Sequence, residues 1–357
     1  MISEINIQGY KSIKDERFHL NNINILIGGN GVGKSNFISM FSLLRNIYEK
    51  NLGNYINKKG GANKFLHLSS KYTKRIVLGL EFNNINRYMV QLAPTSQDNL
   101  FIETEHTEFK NDNNVWRKKE YARNVNESDM KFTNYSQAYY VSDLLNQFRV
   151  YHFHDTSDTS AIKRINDIND NIILQEDGSN IAAFLYFLQQ KHNKHFKRIE
   201  KTIKSVAPFF NSFNLSPDRL NENKIRLEWK EEGAPDVYLD ATSLSDGTLR
   251  FICLATLLMQ PKPPQTIIID EPELGLHPFA ISKLAALVRK VSFNSQVIIS
   301  TQSSLFVDEF DAEDVIAVDR KNNSTVFNRL NKDELEHWLE DYSLGQIWNK
   351  NIIGGRP

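Results

Sequence analysis

Gly28-Gly29-Asn30-Gly31-Val32-Gly33-Lys34-Ser35 has the spacing G-x-x-x-x-G-K-S/T, and its surroundings are those the spacing requires. Ile23, Ile25 and Ile27 line one side of the run before it, which predicts a strand over residues 23–28. After it, Phe37, Phe41, Leu44 and Tyr48 recur every three or four residues, which predicts a helix from about Lys34. A glycine-rich turn between strand and helix lets backbone N–H groups curl around a β-phosphate at the positive end of the helix. Gly28, Asn30, Gly31 and Gly33 would form that cradle, Lys34 would reach the β- and γ-phosphates, and the Ser35 hydroxyl would ligate Mg²⁺. The expected ligands are therefore ATP and Mg²⁺.

A second site completes the chemistry. Ile267-Ile268-Ile269 is a wholly apolar run that ends in Asp270 and Glu271, so both carboxylates stand at the C-terminal end of a buried strand. Asp270 is suited to orient the Mg²⁺ shell and Glu271 to polarise the attacking water. About one helix earlier, Ser243-Leu244-Ser245-Asp246-Gly247-Thr248 opens an apolar helix. Ser245 and the N–H of Gly247 there would offer a second phosphate-binding surface; an ordinary N-cap is the plainer reading of the same residues.

Composition sets the bounds. In 357 residues, 43 Lys and Arg balance 43 Asp and Glu, which argues against a strongly basic nucleic-acid coat and an acidic tail alike. Forty per cent of residues are apolar, enough for a substantial core. The single Cys253 excludes an internal disulfide and a Cys-x-x-Cys zinc site, and suits a reducing compartment. There is no apolar run of membrane-spanning length and no secretion signal at Met1-Ile2-Ser3-Glu4, so a cytoplasmic protein is expected. Asn is abundant without a fixed period, which reads as compositional bias and polar surface.

Along the chain, residues 2–8 read as a strand, and 51–64 as an exposed loop. Alternating apolar positions from Ile76 to Phe82 and from Tyr88 to Leu92 predict a hairpin around Asn83-Asn84-Ile85-Asn86. Residues 93–146 are polar and weakly patterned. Val150–Phe153 reads as a strand, 180–206 as helical, Leu249–Leu258 and Pro278–Val291 as helices, and Val297–Ser300 and Val315–Val318 as strands. Strands alternating with helices predict an α/β core.

The segment at Ser243–Thr248 resembles the Leu-Ser-Gly-Gly-Gln signature of ATP-binding-cassette ATPases, with Asp246 in place of the first Gly and Thr248 in place of Gln. Gly9-Tyr10-Lys11-Ser12-Ile13 resembles the nucleotide-contacting segment of RecF, SMC and OLD-type ATPases, which implies that Lys11, Ser12 and the loop-proximal Asn36 touch the nucleotide. Glu273-Leu274-Gly275-Leu276-His277-Pro278 matches their D-loop position, and Gln302 stands where the switch His belongs. A Gln can donate to a γ-phosphate but cannot titrate near neutral pH, which implies slow turnover. The resemblance implies a P-loop NTPase fold of ABC type, a mixed α/β head. A nucleotide-binding lobe of residues 1–92 and 262–357 would flank a helical insert lobe of 93–261. It also implies a head-to-tail homodimer in which each ATP lies between Lys34 of one subunit and Ser245 of the other.

Residues 156–243 are too few for a long coiled-coil arm, and fewer than 60 residues follow Gln302, too few for a Toprim nuclease domain. The implied function is an ATP-driven switch of anti-phage defence, acting with a separate effector protein. A DNA-repair ATPase that contacts DNA itself, and the nucleotide-binding subunit of a transporter, stay open as alternatives. Three further clusters were weighed. His152, His154 and Asp155 form a cluster in which the two His share a strand face, but no third metal ligand at suitable spacing follows; His154 and Asp155 stand near the Q-loop position. Lys191, Lys194, Lys197, Arg198, Lys201 and Lys204, opposed by Glu200, read as a solvated helix face or a DNA track. Asp308, Glu309, Asp311, Glu313 and Asp314 read as exposed surface, and the tail from Ile353 to Pro357 has no assigned role.

Overall fold

In the computed structural model, which describes residues 1–111, 114–133 and 136–355, the chain opens with β1 (Ile2–Tyr10), β2 (Ile13–His19) and β3 (Ile23–Ile27). Then come α1 (Lys34–Tyr48), α2 (Leu52–Lys58), β4 (Ile76–Phe82), β5 (Asn86–Pro94), β6 (Leu100–Lys110), β7 (Trp116–Val125), α3 (Ser136–Gln147) and β8 (Val150–Tyr151). The middle of the chain forms β9 (Asn166–Asp167), α4 (Ile181–Lys191), α5 (Asn193–Val206), β10 (Phe210–Phe213), β11 (Lys224–Ile225), β12 (Glu228–Glu231), β13 (Ala234–Asp240) and α6 (Asp246–Met259). It closes with β14 (Thr266–Asp270), α7 (Pro278–Val291), β15 (Gln296–Thr301), α8 (Ser304–Val307), β16 (Val315–Lys321), β17 (Ser324–Arg329), α9 (Lys332–Leu339) and α10 (Leu344–Asn349). Arg356 and Pro357 of the tail lie outside the described residues.

Two compact units divide the chain: Met1–Val150, Gln265–Ile268 and Ser295 onward form the first, and Tyr151–Pro264 with Ile269–Asn294 form the second. This cut differs from the lobes expected at 1–92 with 262–357 and at 93–261. Residues 93–150 belong to the first unit because β6 and β7 extend the sheet of β5, in the order β2-β1-β4-β5-β6-β7. Residues 269–294 belong to the second because α7 packs on α6.

In the first unit β3 is buried at all five positions, and runs parallel to β15 on one side and β16 on the other. Such a strand has no wet face, which is why it is nearly all Ile and Leu. α1 turns Phe37, Phe41, Leu44 and Ile47 inward, and one cluster joins them to Ile5, Leu78 and Val90 of the antiparallel sheet and to Ile298 and Ile316. A buried amide also ties the sheets: Gln296 Oε1 accepts from Ile2 N (2.9 Å), and its Nε2 donates to Ile2 O (2.7 Å) and Asn21 O (2.9 Å).

Several local expectations needed correction. β2 has no clear alternation in the sequence, because charged Lys14, Asp15 and Arg17 are exposed on both of its faces. Residues 51–64 are not a plain loop, since Leu52 and Ile56 of α2 are buried. The strand expected through Phe153 ends at Tyr151. The helical run at 180–206 breaks at His192 (φ −134°, ψ 46°). Between 93 and 146 the pattern is masked by polar residues facing inward: Glu105, fully buried, accepts from Tyr88 Oη (2.7 Å) and Ser128 Oγ (2.6 Å), next to a register shift at Glu105/His106. The 83–86 turn uses Asn83 and Asn84 at φ 50° and 58°.

In the second unit α6 is buried along most of its length, Cys253 included, and packs against α5 and α7. Burial pushes the Cys253 thiol well above its usual range, so it is an inert hydrophobe here. Among the described residues no helix is long and apolar enough to cross a membrane. Gln296→Leu would orphan three backbone groups beneath the two sheets, and should cost about 3 kcal/mol in urea unfolding; an unchanged midpoint would show that the amide is dispensable.

Candidate functional site

The turn from β3 into α1 is shaped by what cannot be there. Gly28, Gly31 and Gly33 take φ 155°, 78° and 123°. A Cβ on Gly28 would sit 2.5 Å from Val318 O and 2.9 Å from Val32 Cγ2; one on Gly33 would strike Thr325 Oγ1 and lie 2.8 Å from Ser12 Oγ. Val318 and Thr325 face each other's strands in the β16–β17 hairpin, so that hairpin walls both ends of the loop. Thr325 Oγ1 donates to Val32 O (2.6 Å) and lies 2.7 Å from Ser12 Oγ, which accepts from Asn36 Nδ2 (2.8 Å).

α1 then starts at Lys34 with Gly33 as N-cap, no side-chain cap and no acid in its first turn. Its first N–H groups therefore keep the positive end of the helix for an anion. Lys34 Nζ donates to Gly28 O and to Gly29 O (3.1 Å), folding over the loop it would share with a phosphate. Asn30, Gly31 and Ser35 are exposed. Gln302 follows Thr301, which pairs in register with Ile27, so it stands beside Gly28 at the sheet's end.

Lys11, Ser12, Gly31 and Asn36 share an open cavity of about 570 Å³ with Lys59, Lys64 and Arg320. Lys11 takes φ 49°, anchors its N–H on Phe65 O (2.7 Å) and donates from Nζ to Ser39 Oγ (2.8 Å). Burial, and then Lys59, pulls its ammonium down to about 8.

The other candidates belong to the second unit. β14 delivers Asp270, and Glu271 follows at φ 45°, a left-handed conformation that costs a non-glycine residue about 1–3 kcal/mol and gathers at functional sites. His154 stands near both carboxylates: burial lowers its pKa, while Asp270 and Glu271 act in the opposite sense. The His152 and His154 rings stack with centroids 6.4 Å apart, and among the described residues no three His, Cys, Asp or Glu gather as a metal site.

Ser245 is the N-cap of α6, accepting from Thr248 N (3.3 Å), and Gly247 abuts Gly275 O so closely that a Cβ would collide. His277 likewise N-caps α7, its Nδ1 accepting from Phe279 N (3.3 Å) ahead of Pro278. Sequence reasoning missed Arg250. From α6 it donates to Phe153 O (3.0 Å), His154 O (2.9 Å) and Leu274 O (2.6 Å), pinning the segment that carries His154 to the one that carries Leu274. A lone Arg in the apolar run Leu249–Leu258 was the available signal, since a charge there needs acceptors.

Two of the weaker clusters look different in space. Glu200 opposes one of the lysines of α5 from a buried position, accepting from Lys197 Nζ (2.7 Å) and Phe213 N (2.9 Å), while Lys191, Lys194, Arg198 and Lys201 are exposed. The acidic stretch is not all surface, because Asp314 is half-buried and its carboxyl is pushed up to about 6 by burial and then by Asp311. Asp308 is exposed but accepts from Gly345 N (2.6 Å) at the start of α10.

Solved structures share this architecture. The SmcHead bound to the C-winged helix domain of ScpA is 16% identical with TM-score 0.58, covering 94% of this chain and 99% of that one. The SMC head domain from Thermotoga maritima is 13% identical with TM-score 0.51, covering 92% and 99%. The Smc head domain with an extended coiled coil, bound to the C-terminal domain of ScpA and derived from Pyrococcus furiosus, is 12% identical with TM-score 0.58, covering 95% and 98%. Among curated proteins no significant sequence match is found. At these identities the likeness shows the fold, an SMC-head-like P-loop NTPase fold, as the RecF/SMC resemblance implied. A family model matches residues 23–308, most of the chain, and by that match the protein belongs to the family described as "AAA domain, putative AbiEii toxin, Type IV TA system".

Proposed function

We propose that this chain binds ATP with Mg²⁺, hydrolyses it slowly and works as an ATP-driven switch. The observation that carries the reading is the uncapped N-terminus of α1, with Lys34 folded over a loop whose shape is enforced by Val318 and Thr325. The N–H groups at the start of α1 and Lys34 would hold the β- and γ-phosphates, with Lys11, Ser12 and Asn36 alongside. Ser35 and Asp270 would hold Mg²⁺, whose charge offsets that of the phosphates. Glu271 would accept the proton of the attacking water, and Gln302 would sense the γ-phosphate without titrating.

ATP would close a head-to-tail homodimer, with Ser245 and Gly247 of one subunit meeting the nucleotide held by the other. Ser245 is the N-cap of α6, so the surface it would offer stands at the positive end of that helix. The setting we propose is anti-phage defence with a separate effector protein; that SMC heads of this fold are solved with ScpA bound supports a partner protein. A second reading, a DNA-repair ATPase that engages DNA directly, is favoured by the exposed lysines of α5.

Lys34→Ala should weaken ATP binding about tenfold to a hundredfold, because the loop loses its one cationic side chain; undiminished affinity by calorimetry would remove the assignment. Glu271→Gln should keep ATP but lower kcat at least about a hundredfold and accumulate an ATP-bound dimer, read by mass measurement with and without ATP. Wild-type turnover would exclude Glu271 as the base, and a monomer at saturating ATP would exclude the closed dimer. Because Lys11 loses its proton near 8, ATP affinity should be full below that pH and fall about tenfold between pH 7 and 9. Lys11→Arg should flatten that fall, and an equally steep profile in the variant would place the titrating group elsewhere.

A further inference from the structure

β16 outruns its neighbour. It pairs with β3 through Val315↔Ile25, Ile316↔Leu26 and Ala317↔Ile27, then continues to Lys321 with β17 on its other side. At Gly28 the chain leaves the sheet to form the loop, and the edge of β16 that it vacates is taken by residues that follow α10. Gly355 N donates to Asp319 Oδ1 (2.9 Å), and the indole N–H of Trp348, a residue with no exposed surface, donates to Gly355 O. Gly355 has φ 61°, and a Cβ there would lie 3.2 Å from Ile27 O, 3.4 Å from Gly28 Cα and 3.5 Å from Val318 N. Gly354, at φ 75°, is equally restricted: its Cβ would lie 2.5 Å from Asp319 Oδ2. Gly28 thus lies close against both Val318 and Gly355.

We propose that Trp348, Gly355 and Asp319 form a clamp that positions the exit of β3 and, through Gly28, the phosphate loop. The inference rests on the loop being an ATP site. The loop's glycines supply no side chains of their own to brace it, so its shape comes from its walls. Thr325 braces the far end at Val32 and Gly33, and the clamp braces the near end at Ile27 and Gly28. A loop left free at one end would have to be ordered by the ligand, which lowers affinity without altering the chemical step. These three residues act on the loop through Ile27 and Gly28 and are positioning residues.

The test compares full-length variants by calorimetric titration with ATP and Mg²⁺, steady-state turnover and thermal unfolding without nucleotide. Gly355→Val, Trp348→Phe and Asp319→Ala should each raise the Kd and KM for ATP about tenfold while kcat at saturation stays near wild type. Asp319→Asn keeps an acceptor for Gly355 N and should restore wild-type affinity. Phe310→Leu, which trims a buried ring paired with Phe306, serves as the control that lowers Tm without moving Kd. If Gly355→Val fails to fold, Trp348→Phe and the Asp319 pair still decide. Wild-type affinity in the variants that fold, or a Kd that rises in Phe310→Leu as much as in the clamp variants for the same loss of Tm, overturns the clamp alone. A wild-type protein that takes no ATP overturns the reading of the loop and the clamp with it.

Discussion

Everything at the phosphate loop depends on a strand ending where no side chain fits. β3 is enclosed by β15 and β16 and cannot bend until it passes Ile27, and the turn it then makes runs against the carbonyl of Val318 and the hydroxyl of Thr325. Sterics at Gly28 and Gly33 set the path, the path sets where α1 begins, and that start has no side-chain cap and no acidic residue in its first turn. The anion-binding character of the site is a by-product of burying β3 on both sides.

The second unit solves a different problem. Its apolar helix α6 carries a guanidinium, a group expensive to bury unless its donors are used. Arg250 uses them on three main-chain carbonyls, from Phe153, His154 and Leu274. Two loops with little regular structure are thereby fixed to one turn of α6, the turn that follows Ser245 and Gly247. Glu271, in its left-handed conformation, lies three residues before Leu274, so the strain there is held within a pinned segment.

What could be read from the sequence was what is local. The loop from Gly28 to Ser35 and the helices at Lys34 and Pro278 announce themselves through spacing, because strand, turn and helix each have a short period. β2 was hidden by charges exposed on both of its faces, α2 by an Asn-rich outer face, and β6 by Glu105, a carboxylate turned into the core where alternation calls for a hydrophobe. Thr325 was hidden by distance: its bond to Val32 spans 293 residues, and no pattern near Ser324 hints at it. Trp348 looks like any core aromatic until its N–H is seen to reach Gly355.

The asparagines have a physical use beyond surface polarity. Asn83, Asn84, Asn114, Asn124, Asn322, Asn323 and Asn351 all sit at φ between 50° and 63°, among them the central pairs of two hairpin turns. Asn is the side-chain-bearing residue that tolerates this region best, and unlike Gly it does not widen the unfolded ensemble. Reversing direction with Asn therefore lowers the entropy of the denatured chain relative to a glycine-turned equivalent, so part of this protein's stability resides in the states it leaves behind on folding.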